Sequence, residues 1–228
     1  MSSYFSSIDI SFHPDIAIKE TPSTGLGLFA TRPIAPHTTL LTVPRSAKIP
    51  SSLALQDPAF QPFAYKVPDT LLLAAYITKN YLSESPTPYA AAVFATVDSH
   101  PLVISDAAAA AIPDPDTRAE VMSLRKEAAA AASLLAPALG AGGAAGVVRG
   151  LAVVLSRSFN YDRVTLVPGL DLLNHASEPN ISHKEAGDGS TVLTAGEDGL
   201  QAGEELVNEY CKAGTSDAVM YARFGFVP

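Results

Sequence analysis

Three separated stretches of this 228-residue chain hold side chains whose types and spacing could do chemistry. In Ser23-Thr24-Gly25-Leu26-Gly27-Leu28-Phe29-Ala30, two glycines flank one leucine, so the backbone can turn sharply and approach a ligand closely. No third glycine opens a helix behind them, which separates the stretch from a dinucleotide fingerprint. In Pro168-Gly169-Leu170-Asp171-Leu172-Leu173-Asn174-His175, an Asp, an Asn and a His stand among apolar residues. Buried polar groups need partners, so such a cluster either ties a core together or holds something. The third stretch, Gly203-Glu204-Glu205-Leu206-Val207-Asn208-Glu209-Tyr210, ends a β-prone run on a tyrosine. Arg223-Phe224-Gly225-Phe226-Val227-Pro228 follows closely, with aromatics around a glycine; taken alone, either piece suits a core. A metal centre on His175 and His183 would lack a third ligand at convincing spacing.

The elements that must position these residues run β, helical, β. Strands are expected at residues 16–18, 27–30 and 39–43, with a turn-rich loop at 21–27, and every strand is kept short by Pro and Gly. From Pro68 the pattern becomes helical. Asp69 offers an N-cap, and Leu71, Leu72, Leu73, Ala75, Tyr76 and Ile77 fit an amphipathic helix to about Tyr81. Further helices are expected at 89–95, 118–135 and 144–156, the last two rich in alanine. Strand texture returns at 164–167, 191–194 and 205–210, and residues 217–224 read as a short helix. Both β parts are expected to pack into one unit.

The bulk properties narrow the function. The length suits one domain, or one with a large insertion, and 47% apolar residues can supply an ordinary core. A formal charge of -8 and a pI near 5.0 argue against a basic nucleic-acid footprint and are compatible with a basic protein partner. Cys211 is the sole cysteine, which rules out an intrachain disulfide or a cysteine-rich zinc cluster. No basic stretch followed by an apolar run opens the chain, so the expected setting is a reducing compartment, cytoplasmic or nuclear. Residues 128–148 carry no charge, but they are mostly Ala and Gly and are broken by Pro137 and Gly140-Ala141-Gly142-Gly143. They read as a helix end, a loop and a new helix, with no membrane span.

Taken in order, Gly25-Leu26-Gly27-Leu28, Leu170 through Asn174-His175, Gly203-Glu204-Glu205-Leu206 to Tyr210, and Phe224-Gly225-Phe226 resemble the motifs of SET-domain protein lysine methyltransferases. Residues 71–89 and Leu155-Ser156-Arg157-Ser158-Phe159 are similar to the branch typified by the Rubisco large-subunit lysine methyltransferase. The resemblance spans almost the whole chain. It implies an α+β fold: a single SET domain over residues 1–228, built of small β-sheets with a C-terminal pseudoknot. A helical insertion at about 68–157 and the absence of the branch's C-terminal substrate-binding domain complete the expectation.

The resemblance also implies S-adenosylmethionine as cofactor and a protein lysine as acceptor. By motif position, Thr24, Gly25, Leu26 and Gly27 would line the cofactor, and Arg157 would meet its carboxylate. Asn174 and His175 would hold the adenine end through backbone groups, at the pseudoknot crossing. Asp171 belongs with this set and, with Ser156, would offer a carbonyl to the substrate amine. Tyr210 would be the catalytic tyrosine, with Phe159, Asn208, Phe224 and Phe226 along the substrate channel.

Such chemistry asks mainly for alignment, because methyl transfer is an in-line displacement. The nucleophile must be a neutral amine, whereas free lysine titrates near 10.4. An apolar channel and a neighbouring positive charge both disfavour the ammonium. Two departures from the family pattern bear on substrate. Phe224 stands where relatives carry Tyr, which would permit higher methylation states, and Asn208 replaces an apolar residue, which points to histidine as an alternative acceptor. A non-catalytic SET-like module that binds a protein partner is the reading from a different class.

Overall fold

The computed structural model describes residues 2–21, 25–81, 86–139, 143–212 and 214–227. In chain order the elements are α1 (Ser2–Ser7), β1 (Ser11–Phe12), β2 (Ile16–Thr21), β3 (Gly25–Ala30), β4 (Thr39–Val43), β5 (Ile49–Pro50) and α2 (Ser52–Gln56). Then come α3 (Asp69–Tyr81), α4 (Pro88–Ala95), α5 (Asp106–Ala110), α6 (Pro115–Leu135), α7 (Gly143–Arg157), β6 (Ser158–Asn160) and β7 (Val164–Leu166). β8 (Asn174–His175), β9 (Ile181–Glu185), β10 (Thr191–Ala195), β11 (Glu205–Asn208) and α8 (Asp217–Phe224) follow.

These elements form two compact units, each assembled from separated stretches. The first comprises residues 1–48 and 167–213, whereas β7 at Val164–Leu166 falls in the second. The first unit holds two four-stranded sheets, ordered β1-β4-β10-β9 and β2-β3-β11-β8. Alternation along β10 buries Thr191, Leu193 and Ala195 on one face, the period-two signature of a strand with one side on a core. Leu28, Leu40, Leu41, Leu170, Leu172, Leu173 and Leu206 are almost fully buried in this unit. Phe5 of α1 joins them, its ring 5.4 Å from Phe12.

The second unit comprises residues 49–166 and 214–227. It carries the helices α2 to α8 and the small sheet β5-β7-β6. α3 and α7 pack closely because glycine stands where they cross. Thr78 Oγ1 donates to the Gly146 carbonyl at 2.8 Å, and a Cβ on Gly150 would lie 2.6 Å from Thr78 Oγ1. Ala54, Phe60, Leu72, Ala75, Ala132, Leu135 and Val147 make one core, while Ala109, Ile112, Val121 and Ala222 tie α8 to α5 and α6.

Four local expectations need correction. The turn-rich loop at 21–27 is shorter, because β2 runs to Thr21 and β3 starts at Gly25, registered Thr21↔Gly25. Asp69 is the first residue of α3, and its carboxylate is not spent as a cap: it accepts from Ser51 Oγ at 2.8 Å and from Arg163 at 3.0 Å. The last strand stops at Asn208, two residues short of Tyr210. α6 starts at Pro115, ahead of residue 118, because Asp114 caps it by accepting from Thr117 N–H at 2.7 Å. No helix among the described residues is long and apolar enough to cross a membrane.

Two imidazoles give the fold a pH dependence. Burial pushes His100 and His183 below the ordinary histidine value of 6.5, so the folded chain keeps both neutral where the unfolded chain takes up protons. Below about pH 6.5 the unfolded state therefore binds more protons, and stability falls as pH drops through that window. Melting temperatures recorded from pH 8 to 5 should decline, and His183→Gln should flatten the slope. An identical slope in that variant would rule out its part.

Candidate active site

Within the first unit, the predicted residues converge on β3, β8 and β11. Gly25 has φ 73, a left-handed conformation that glycine adopts without a Cβ penalty, and no described atom lies within 4 Å of where its Cβ would be. Leu26 offers its carbonyl to Asn174 Nδ2 at 3.2 Å. The same Nδ2 donates to Glu205 Oε1 at 2.6 Å, so one amide ties the glycine strand to β8 and β11. Gly27 lies directly beneath this bond: a Cβ there would stand 2.5 Å from Glu205 Oε1 and 3.0 Å from Asn174 Nδ2. Thr24 lies outside the described residues.

β8 runs parallel to β11, with Asn174 opposite Val207 and His175 opposite Asn208. It is one of the two edge strands of its sheet. Ala176 N–H donates to the Asn208 carbonyl at 3.1 Å, so the alternation of a strand turns the His175 peptide away from β11, towards the sheet edge. Asp171 is 4% exposed, and its Oδ1 accepts from Gly169 N–H at 3.0 Å, which shapes the turn leading into β8.

Tyr210 follows β11 and is held twice. Its N–H donates to His175 Nδ1 at 3.2 Å, and its hydroxyl donates to the Leu173 carbonyl in a short bond. The rings of His175 and Tyr210 are 5.3 Å apart. A phenol oxygen is both donor and acceptor, and the bond to the Leu173 carbonyl fixes where that oxygen stands. Asn180, absent from the sequence reading, completes the brace. Its Oδ1 accepts from Val207 N–H at 2.9 Å, and its Nδ2 donates to the Glu205 carbonyl and Glu204 Oε1, both at 2.8 Å. The side-chain amide thus stands in for a strand peptide just upstream of Tyr210. Its only signal in the sequence was a polar residue, after Pro179, entering a β-prone run.

The second unit holds the remaining predicted residues. Ser156 is in the last turn of α7, and its hydroxyl donates to the Ala152 carbonyl at 2.7 Å. That leaves the carbonyl as its functional group, at a helix end whose partial negative charge favours a cation. Arg157 Nη2 donates to Thr96 Oγ1 at 2.9 Å. Phe159 on β6 stacks on Tyr161 with ring centres 6.3 Å apart, and Phe224 and Phe226 stand 6.3 Å apart at 52°. Among the described residues, no group of three His, Cys, Asp or Glu could hold a metal ion.

The SET-domain family profile matches residues 25–211, from the glycine strand through Tyr210. The chain belongs to the SET-domain family. SET methyltransferases use S-adenosylmethionine, and this SET domain has features that fit such a group: the side of Gly25 that no described atom approaches and the outward His175 peptide. Among solved structures, the chain superposes on Rubisco LSMT bound to AdoMet with a TM-score of 0.82 at 14% identity. The match covers 100% of this chain and 55% of that one. The SET domain of LSMT bound to lysine and AdoHcy matches at TM-score 0.79 and 14% identity, over 100% and 56%. LSMT bound to sinefungin and monomethyllysine matches at 0.79 and 14%, over 100% and 55%. The chain thus spans just over half the length of these proteins, with which it shares the α+β fold. No curated protein matches it in sequence.

The crowding at Gly27 makes a direct prediction. Gly27→Ala should push Glu205 and Asn174 apart, lowering the melting temperature and weakening S-adenosylmethionine together. Calorimetry that gives unchanged affinity would show that the crossing can yield without cost.

Proposed function

We propose that this SET domain is an S-adenosylmethionine-dependent methyltransferase acting on a protein lysine. The observation that carries this reading is Tyr210, fixed through its N–H by His175 and through its hydroxyl by the Leu173 carbonyl. When bound, the cofactor supplies a methyl on a positively charged sulfur. The outward peptide of His175 suits the edge of a flat base, and Gly25 would give the rest of the cofactor close backbone access. Arg157 is the cation for its carboxylate, although the Thr96 bond must be shared or released. The Tyr210 oxygen would offer lone pairs to the methyl group and the amine. By motif position, carbonyls of Ser156 and Asp171 would accept from the amine, and the faces of Phe159, Phe224 and Phe226 would favour its residual positive charge. The solved relatives named with lysine and monomethyllysine support a lysine acceptor. The acidic chain supports a basic protein partner, and the single cysteine supports a cytoplasmic or nuclear setting.

The test is transfer of labelled methyl from S-adenosylmethionine to proteins of a cell extract, with modified residues identified by mass spectrometry. Labelled lysine supports the reading. Label on histidine alone would move it to the alternative suggested by Asn208, and no label at all would leave a SET-like binding module. Phe224→Tyr adds a hydroxyl beside the acceptor and should shift products towards fewer methyls per lysine. An unchanged mono-, di- and trimethyl ratio would remove Phe224 from the channel.

A further inference from the structure

His100 lies outside every motif, yet it is 3% exposed and both its ring nitrogens are engaged. Nδ1 accepts from Leu102 N–H at 3.1 Å, and Nε2 is 2.8 Å from the Arg223 carbonyl. A ring that accepts at Nδ1 carries its proton on Nε2, so Nε2–H donates to Arg223. Burial favours the neutral form that this pair of bonds requires. The Arg223 carbonyl is in the last turn of α8, where the helix itself supplies no donor. It also belongs to the same peptide unit as the Phe224 N–H.

The surroundings make this bond a clamp. Gly225 takes a left-handed conformation with φ 85, and its N–H returns to the Tyr221 carbonyl. A Cβ on Gly225 would lie 3.4 Å from Pro101 Cδ and 3.8 Å from His100 Cα, so residues 100–101 cover the turn between Phe224 and Phe226. That cover is itself braced. Arg125 of α6 donates to the carbonyls of Pro101 at 2.7 Å and Ile104 at 2.9 Å, and Val103 N–H donates to the His100 carbonyl at 2.7 Å. A rigid bracket thus grips the peptide that carries one aromatic and abuts the glycine before the other.

We infer that His100 is a positioning residue: by holding the Arg223 carbonyl it sets the Phe224–Phe226 pair that receives the substrate amine. This rests on the proposed lysine methyltransferase reading of those two phenylalanines. A purely structural histidine would affect stability and both substrates alike. A positioning one acts on the acceptor side and on how many methyls are added.

Two substitutions separate the bonds. His100→Asn keeps an acceptor for Leu102 N–H, as in an Asx turn, but lacks the donor to Arg223; His100→Gln returns a donor at that reach. The acceptor probe is a pool of peptides with a central lysine. For His100→Asn we expect faster amide exchange at residues 224–227 and about tenfold lower kcat/KM for the peptides. The methylation ratio should change and the KM for S-adenosylmethionine should stay within about twofold. His100→Gln should recover most of each. An Asn variant with wild-type exchange and products overturns the inference. So does one that fails to fold, or one that falls together with Gln while losing cofactor affinity, because each makes His100 merely structural. If the wild type methylates none of the peptides, the methyltransferase reading fails instead. The exchange contrast between Asn and Gln then decides the clamp by itself.

Discussion

Tyr210→Phe should lower methyl transfer about 100-fold, close to 3 kcal/mol of barrier, while S-adenosylmethionine affinity stays within about threefold. The hydroxyl donates a hydrogen bond to the Leu173 carbonyl, so under the proposed function the oxygen offered to the reacting atoms would be aimed in advance. Preorganised dipoles of this kind cost nothing to orient at the moment of reaction, which is why one such group can be worth about two to three decades. The N–H bond to His175 survives the substitution, so the backbone around residue 210 keeps its place. Single-turnover transfer and calorimetry together read the two quantities. Equal transfer by both forms would strip Tyr210 of its assigned role.

Asn174→Ala should weaken S-adenosylmethionine about 10- to 100-fold and lower the melting temperature. Its Nδ2 serves Leu26 and Glu205 at once, and removing it leaves a half-buried carboxylate without that donor, at a cost of about 1–3 kcal/mol. The loss spreads to the cofactor because the Leu26 carbonyl and Gly27 belong to the strand held by this amide. Asn174→Asp should be worse than alanine. It replaces a donor 2.6 Å from a carboxylate oxygen by a second negative charge. Equal cofactor affinities for N174D and N174A in calorimetry would remove the Asn174–Glu205 contact from cofactor binding.

Local patterns were legible wherever local physics decided the outcome. α8 has the bounds read from periodicity and flanking residues, and Ser216 supplies its cap by accepting from Val219 N–H; α3 ends at Tyr81 as read. The misreadings arose where a distant partner decided. Gly25 and Gly27 look like turn residues, but Gly27 is in a strand because Asn174 and Glu205 occupy the space of its missing side chain. Asp69 looks like a cap, but Arg163 and Ser51 claim its carboxylate. Tyr210 looks like a strand end, but its N–H goes to an imidazole and leaves the ladder. The motif residues of the first unit were readable from order and type, and the fold brings Leu26, Asn174 and Tyr210 onto neighbouring elements. Asn180 and His100 were not readable, because a lone polar residue reveals nothing until the backbone it grips is known.

The interleaving of the two units sets a schedule for synthesis. β3 and β4 each find one neighbour early, β2 and β1, whereas their other neighbours, β11 and β10, leave the ribosome only after the whole helical stretch. At roughly 5–20 residues per second that delay is on the order of ten seconds or more, during which two apolar strands keep an unpaired edge. The nascent chain is thus most exposed to aggregation while its helical stretch is being made. Chaperone supply during that interval, and slower growth at lower temperature, are the levers on soluble yield.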